Sequence, residues 1–180
     1  MGAILTWEIN MKLAEKKLRD RDTDDSADQY LTFTLAGEEY GVDILSVQEV
    51  KVWSRVTALP NTPGYIKGVL NLRGVIVPII DLRRRFGIDA IEYDTNTVIV
   101  VLKLERDNTS TIIGIVVDTV SDVLDIPRSA HKSVNGFESN CHSEAITGVA
   151  TVNNKLVIML NAMKLLDEDD IVKLEKALPN

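Results

Sequence analysis

The sequence predicts a mostly β protein built from two related modules, and three observations carry that expectation. Of its 180 residues, 20 are valine and 17 isoleucine against 9 aromatic ones, and β-branched side chains suit a pleated, half-buried surface. Several stretches alternate apolar and polar residues with period two around short turn sequences. The chain also repeats itself. Moved by 80 positions, IKGVLNLRGVIVPIIDL falls on ITGVATVNNKLVIMLNA, with Ile66 on Ile146, Gly68 on Gly148, Val69 on Val149, Val77 on Val157 and Arg73-Gly74 on Asn153-Asn154. Moved by 73, YGVDILSVQEV falls on IGIVVDTVSDV, with Gly41 on Gly114, Val47 on Val120, Glu49 on Asp122 and Val50 on Val123. Two matches in the same order, with glycines and turns coinciding, imply a duplication.

Residues 1–28 form an extension. Ile4, Leu5, Ile9, Leu13 and Leu18 recur at helical spacing and the polar RDRDTDDSAD follows, which reads as a short amphipathic helix and a flexible linker. A solvated tail is the competing reading, because isolated helices of this length are marginal in water. From Gln29, Leu31, Phe33 and Leu35 alternate with threonines, Gly37 marks a turn, and Tyr40, Val42 and Ile44 follow, a hairpin with one buried face. GVLNLRGVIVPIIDL (68–82) reads as two strands around Arg73-Gly74, and DLRRRFG as a helical turn stopped by Gly87. TVIVVLKL and TIIGIVVDTV flank the polar RDNTS turn, and AITGVATVNNKLVIML is a third hairpin with Asn153-Asn154 as its two-residue loop. RSAHKSVNGFESNCHSE, spanning 128–144, is a long loop, and loops of that length are functional or mobile as a rule. NAMKLLDEDDIVKLEKALPN reads as a C-terminal helix. Ile171, Leu174 and Leu178 share a face, DEDD sits where the helix dipole favours anions, and Pro179 ends it.

Composition and motifs exclude most chemistry. Lys and Arg total 20 against 27 Asp and Glu, a net charge of −7, which argues against a duplex-DNA grip or a basic membrane patch. Cys141 is the single cysteine, so no intrachain disulfide forms. MGAILTWEINMKLAEKK lacks the layout of a signal peptide, and the longest apolar runs, VIVVL and IIGIVV, fall far short of the ~20 residues of a spanning helix. A cytoplasmic protein is expected, in which the acceptor pattern Asn108-Thr109-Ser110 has no use. His131 and His142 lack triad or metal context, and adjacent Cys141 and His142 point to opposite faces of an extended chain. No phosphate cradle or zinc-helix motif occurs. The expectation is a non-enzyme without cofactor or metal.

The hairpin NLRGVIVPIIDL stands out instead. Gly74 suits a tight turn, so Arg73 projects from its tip, as a solvated cation or as a partner contact. Its planar fork bonds carboxylates bidentately, and Glu49 is expected to pair with it at the rim of a binding groove. Arg83-Arg84-Arg85 is the other dense charge cluster, read as a solvated face before an anion site.

FTLAGEEYGVDILSVQEV, LPNTPGYIKGVLNLRGVIVPIIDLRRRFG, VVDTVSDV and ITGVATVNNKLVIMLN resemble, in that order, the CheW-like coupling domains of bacterial chemotaxis, over about Gln29 to Leu166. YIKGVLNLRGVIVPIIDL is the specific part. The resemblance implies two intertwined, five-stranded SH3-like β-barrels side by side over residues 29–166, sharing a hydrophobic core and finished by a helix over 167–180. It implies an adaptor between the cytoplasmic tip of methyl-accepting chemotaxis receptors and the regulatory domain of the histidine kinase CheA, recruited from the cytoplasm to membrane-associated arrays, without nucleic acid or membrane insertion. The implied receptor groove takes Val47 and Glu49 from one hairpin, Gly68, Arg73 and Gly74 from another, and Val98, Gly114 and Val123 from the facing side. Val47, Val98 and Val123 would bury against receptor-helix positions, and Gly68 and Gly114 would allow close approach, with core packing as the competing role for all five. Arg73 and Glu49 would set register. A barrel end would meet the kinase, through residues that no motif identifies. Two alternatives stay open: a paralogous adaptor of a pilus or second-messenger pathway, and a purine-nucleotide-binding regulator, which the missing phosphate cradle opposes. The extension before Gln29 and the 128–144 loop depart from the family pattern.

Overall fold

The structure is a computed structural model that describes residues 2–19, 27–106, 109–133 and 143–177. Expectations for Cys141, His142, Asn108, Leu178, Pro179 and most of the linker and the 128–144 loop fall outside these residues. The described elements, in chain order, are α1 (Gly2–Arg19), β1 (Ala27–Leu35), β2 (Glu38–Asp43), β3 (Val47–Val52), β4 (Ile66–Leu72), β5 (Val75–Asp81) and α2 (Leu82–Arg85). There follow β6 (Val98–Arg106), β7 (Thr109–Val117), β8 (Thr119–Pro127), β9 (His131–Ser133), β10 (Ile146–Val152), β11 (Lys155–Leu160) and α3 (Glu168–Ala177). Three hairpin turns, Ala36-Gly37, Arg73-Gly74 and Asn153-Asn154, carry two successive positive φ values each, the type I′ geometry that matches strand twist.

The strands form two sheets, ordered β8-β1-β2-β11-β10-β9 and β3-β6-β7-β5-β4. The sequence repeat and the sheets do not coincide. The β1–β2 hairpin of the first repeat completes the sheet of β8 to β11, and the β6–β7 hairpin of the second completes the sheet of β3 to β5. Four pairings make the exchange: β1 on β8 and β3 on β6, both antiparallel, and two parallel ones, β2 on β11 with Gly41 opposite Met159 and β7 on β5 with Gly114 opposite Ile79. Both glycines are the repeat-matched pair.

Alternation on the strands sorts the apolar residues into three cores. On β6, Val98, Val100, Leu102 and Leu104 enter a core shared by both sheets, whereas Ile99 and Val101 join Val77, Ile79 and Val116 inside one barrel. Ile126, Ala150, Val157 and Met159 fill the other. The second matched glycine pair closes each barrel. The amide of Thr57 donates to the Val69 carbonyl at 2.9 Å and the Val69 amide to the Thr57 carbonyl at 2.8 Å. A Cβ on Gly68, whose φ is +141°, would lie 2.0 Å from the Thr57 oxygen. Gly148 makes the same approach to Lys132, at 2.6 Å. One sheet therefore has six strands where five were expected: β9 pairs with β10 over three residues, where the other barrel has the single Thr57–Val69 bridge.

The arginine cluster departs from the expected solvated face at two of its three positions, Arg83 and Arg85, while Arg84 keeps that role with a side chain 45% exposed. Arg83 bonds Asp118 through Nε and Nη2, both at 2.6 Å. Arg84 lies 3.6 Å from buried Asp81, which also accepts the Tyr93 hydroxyl at 2.5 Å. Arg85 donates to the Leu165 carbonyl at 3.0 Å and lies 3.8 Å from Asp170. The C-terminal helix is shorter than its pattern: Ala162–Lys164 forms a 3-10 turn, and Asp167 then caps α3 by accepting from the Asp170 amide at 2.7 Å. Asp170 is buried under Arg85 and accepts the Tyr65 hydroxyl, so the DEDD run does more than complement the dipole.

Two outcomes follow. Gly68→Ala should lower unfolding free energy by on the order of 3 kcal/mol, through the backbone clash and the positive φ. Gly74→Asn, whose Cβ meets nothing within 4 Å, should cost under about 1 kcal/mol, and urea titration reads both variants. Burial first, and then the hydrogen bonds to Asp170 and Asp81, raise the Tyr65 and Tyr93 hydroxyls above their ordinary value of 10.0. A folded value above the unfolded one stabilises below pH 10 and is lost as pH rises further. Stability measured by urea should fall above about pH 10, and less steeply in Tyr65→Phe.

Candidate partner-binding site

The chain crosses from one sheet to the other between β2 and β3. Asp43 makes the crossing by accepting from the Leu45 amide at 2.8 Å, which caps the 3-10 turn Ile44–Ser46. β3 then forms the edge of its sheet and β8 the edge of the other. Each edge carries a register shift just before its repeat-matched acid, between Val47 and Glu49 on β3 and opposite Leu31/Phe33 on β8. A bulge re-aims the side chain beside it. Glu49 accepts from Arg73 Nη2 at 2.8 Å and Asp122 from Lys12 Nζ at 2.5 Å. Burial pushes the Asp122 carboxyl up, but the Lys12 hydrogen bond, the Val123 amide and the Lys12 charge together hold it below its ordinary value.

The Arg73–Glu49 pair expected from the sequence is present. The arginine side chain is 80% exposed and the glutamate 23%, and the turn beneath is fixed by Asn71, whose Oδ1 accepts from the Gly74 amide at 2.8 Å. Since β3 and β4 are the two edges of one sheet, this pair crosses the barrel seam at its rim. Gly74 is exposed beside it, and Val123 is half-buried on β8 against the shared core.

The other four expected residues lie beneath the surface. Val47 is 1% and Val98 3% exposed, and both face the shared core. A Cβ on Gly114 would meet Ile79 Cδ1 at 2.6 Å and Ile99 Cγ2 at 2.9 Å, so this glycine makes room for barrel side chains. Gly68 makes room for Thr57 at the seam. Core packing is the role that geometry gives these four.

Sequence reasoning did not assign Asn10, Lys12, Val50 or Asp122 to the junction. Ile9 and Leu13 of α1 enter the shared core, and α1 packs on β3 and β8. Asn10 Nδ2 donates to the Val50 carbonyl at 3.1 Å, and its Oδ1 accepts from the Val50 amide at 3.0 Å. The repeat placed Asp122 on Glu49, and that alignment was the available signal. A separate open groove of about 740 Å³ lies where β2 crosses to β3, bordered by Tyr30, Leu45, Val47, Lys103 and Met163. His131 packs its ring 5.5 Å from Tyr30. Among the described residues no three His, Cys, Asp or Glu side chains are grouped to hold a metal, and no helix is long and apolar enough to cross a membrane.

A CheW-like domain model matches residues 29–170. The chain belongs to the CheW-like domain family. It is 43% identical over 143 residues to "Chemotaxis protein CheW" of Klebsiella aerogenes, covering 79% of this chain and 84% of that one. To the "Probable chemotaxis protein CheW" of Rhizobium etli it is 29% identical, over 89% and 97% of the two chains. The crystal structure of the scaffolding protein TtCheW from Thermoanaerobacter tengcongensis superposes with a TM-score of 0.71 at 30% identity, covering 80% of this chain and 95% of that one. The protein is a chemotaxis adaptor of the scaffolding kind, with the two-sheet fold of that structure. The scaffolding character of the family agrees with a non-enzyme. The α1 helix precedes the matched region.

The exposure of Arg73 separates binding from folding. Arg73→Ala and Glu49→Ala should each change unfolding free energy by less than about 1 kcal/mol, so a binding defect in either would not be a folding defect. Urea titrations of the three proteins check this.

Proposed function

We propose that this chain couples methyl-accepting chemotaxis receptors to the histidine kinase CheA, so that receptor state controls kinase autophosphorylation. The observation that carries the reading is the solvent-facing Arg73–Glu49 pair on the closed seam, beside the junction of the two sheets. A receptor helix laid along that junction meets a charged rim at Arg73 and Glu49, the flat turn at Gly74 and an apolar strip at Val123 on β8. An arginine fork held on a type I′ turn selects register more than it adds affinity. Val47, Gly68, Val98 and Gly114 act from below, by fixing the strands that carry these contacts.

The regulatory domain of CheA is the second partner, met at a barrel end. Val75 and Ile76 beside one hairpin tip and Leu156 beside another are exposed large apolar residues, and they support an end-on contact whose repeat-related tips suit a heterologous assembly. The protein works in the cytoplasm and reaches the membrane through its receptors.

The test is co-sedimentation with receptor-containing membranes and CheA, with autophosphorylation as the readout. Wild type should bring the kinase under receptor control. Arg73→Asp, which sets a second acid beside Glu49 where the partner meets a cation, should lose most receptor recruitment while staying folded. Failure of wild type to recruit the kinase would overturn the coupling role, and an Arg73→Asp protein indistinguishable from wild type would remove the junction as the receptor site.

A further inference from the structure

The α1 helix covers the junction at which a receptor helix is placed above. It lies on the two strands that end their sheets there, β3 and β8. An uncovered edge leaves backbone groups unpaired, and Asn10 meets this need with a single carboxamide that bonds both the amide and the carbonyl of Val50, at 3.0 and 3.1 Å. Ile9 and Leu13, one helical turn apart, enter the shared core, and Lys12 reaches Asp122 on β8. An apolar i, i+4 pair, an amide for the β3 edge and a cation for β8 are therefore what the junction accepts from a helix.

The attachment of α1 is slight. Its outward side presents Ile4, Trp7 and Met11, at 68%, 63% and 45% exposure, a second apolar stripe at helical spacing that the docked state leaves in water. Its ion pair is half exposed, and pairs of that kind contribute little. Its tether to Ala27 is short, and a short tether holds a weakly docked helix in place by proximity. Such an occupant yields to a ligand with more contacts.

We infer that α1 is a built-in competitor for this junction: it fills the channel between β3 and β8 in the free protein and gives way to a partner α-helix that offers the same apolar pair and edge-bonding amide. The inference rests on the receptor reading and adds a control to it, since the affinity for a partner is reduced by the fraction of molecules in which α1 is docked.

The test uses the full-length chain, a purified receptor cytoplasmic hairpin as probe, and backbone hydrogen exchange as the second readout. In the free wild type, the α1 amides should be protected, and saturation with the hairpin should abolish that protection while Val50 stays protected. Ile9→Asp combined with Leu13→Asp should expose α1 from the start and bind the hairpin about tenfold more tightly. Lys12→Glu alters only an exposed pair and should shift affinity the same way by about twofold. Hairpin binding that leaves α1 protected and is unmoved by the variants would overturn the inference and leave the coupling role standing. Hairpin binding by none of the proteins would remove the receptor reading, and the inference with it.

Discussion

The exchange of hairpins between the two halves holds this fold together, and every functional feature described depends on it. β1 and β2 of the first half pair with β8 and β11 of the second, and β6 and β7 of the second pair with β3 and β5 of the first. Because the halves exchange hairpins, neither can complete a barrel alone. The exchange also turns one face of each central strand outward from its own barrel, and burial of those faces against each other makes the shared core. Residues such as Val100, Leu102, Ile113 and Ile115 have no exposed surface there. The junction that β3 and β8 border is the edge of that core, so its position follows from the exchange.

The same constraint explains why glycine recurs at matched places. Gly41 and Gly114 lie where a parallel partner strand crosses, and Gly68 and Gly148 where the closing backbone presses against a bulged strand. Repetition in the sequence therefore reports repeated close approaches, which a substitution cannot satisfy by moving a side chain when the obstacle is a carbonyl oxygen.

The strand pattern, the three turns and the duplication were legible because each leaves a local signature: period two, a positive-φ dipeptide, a matched glycine. Hairpin exchange leaves none, since a strand's residues do not state which sheet they join. For the same reason the depth of Val98 and Gly114 was not legible. Alternation on β6 shows that Val98 and Ile99 face opposite ways, but both faces of that strand are buried, so neither reaches a surface groove. Arg73 was legible because a turn tip is exposed, and Glu49 because the repeated hairpin offers a carboxylate for an arginine fork to bond. Two of the three arginines were misread for a nonlocal reason: Asp118, Leu165 and Asp170, which bind Arg83 and Arg85, lie 35 to 85 residues away in sequence. The docking of α1 was half legible, since Ile9 and Leu13 announced a buried face but nothing in the pattern named the strand edge that Asn10 satisfies.

The central claim is that a partner helix binds where the two sheets meet. Methyl NMR of the full-length protein titrated with a receptor cytoplasmic hairpin tests it most directly. A helix docked there should give saturable shifts at Val50, Val120 and Val123, with the methyls of Leu156, beside the other hairpin tip, unmoved. Shifts confined to Leu156, with Val50 and Val123 unchanged at saturation, would contradict docking at the junction.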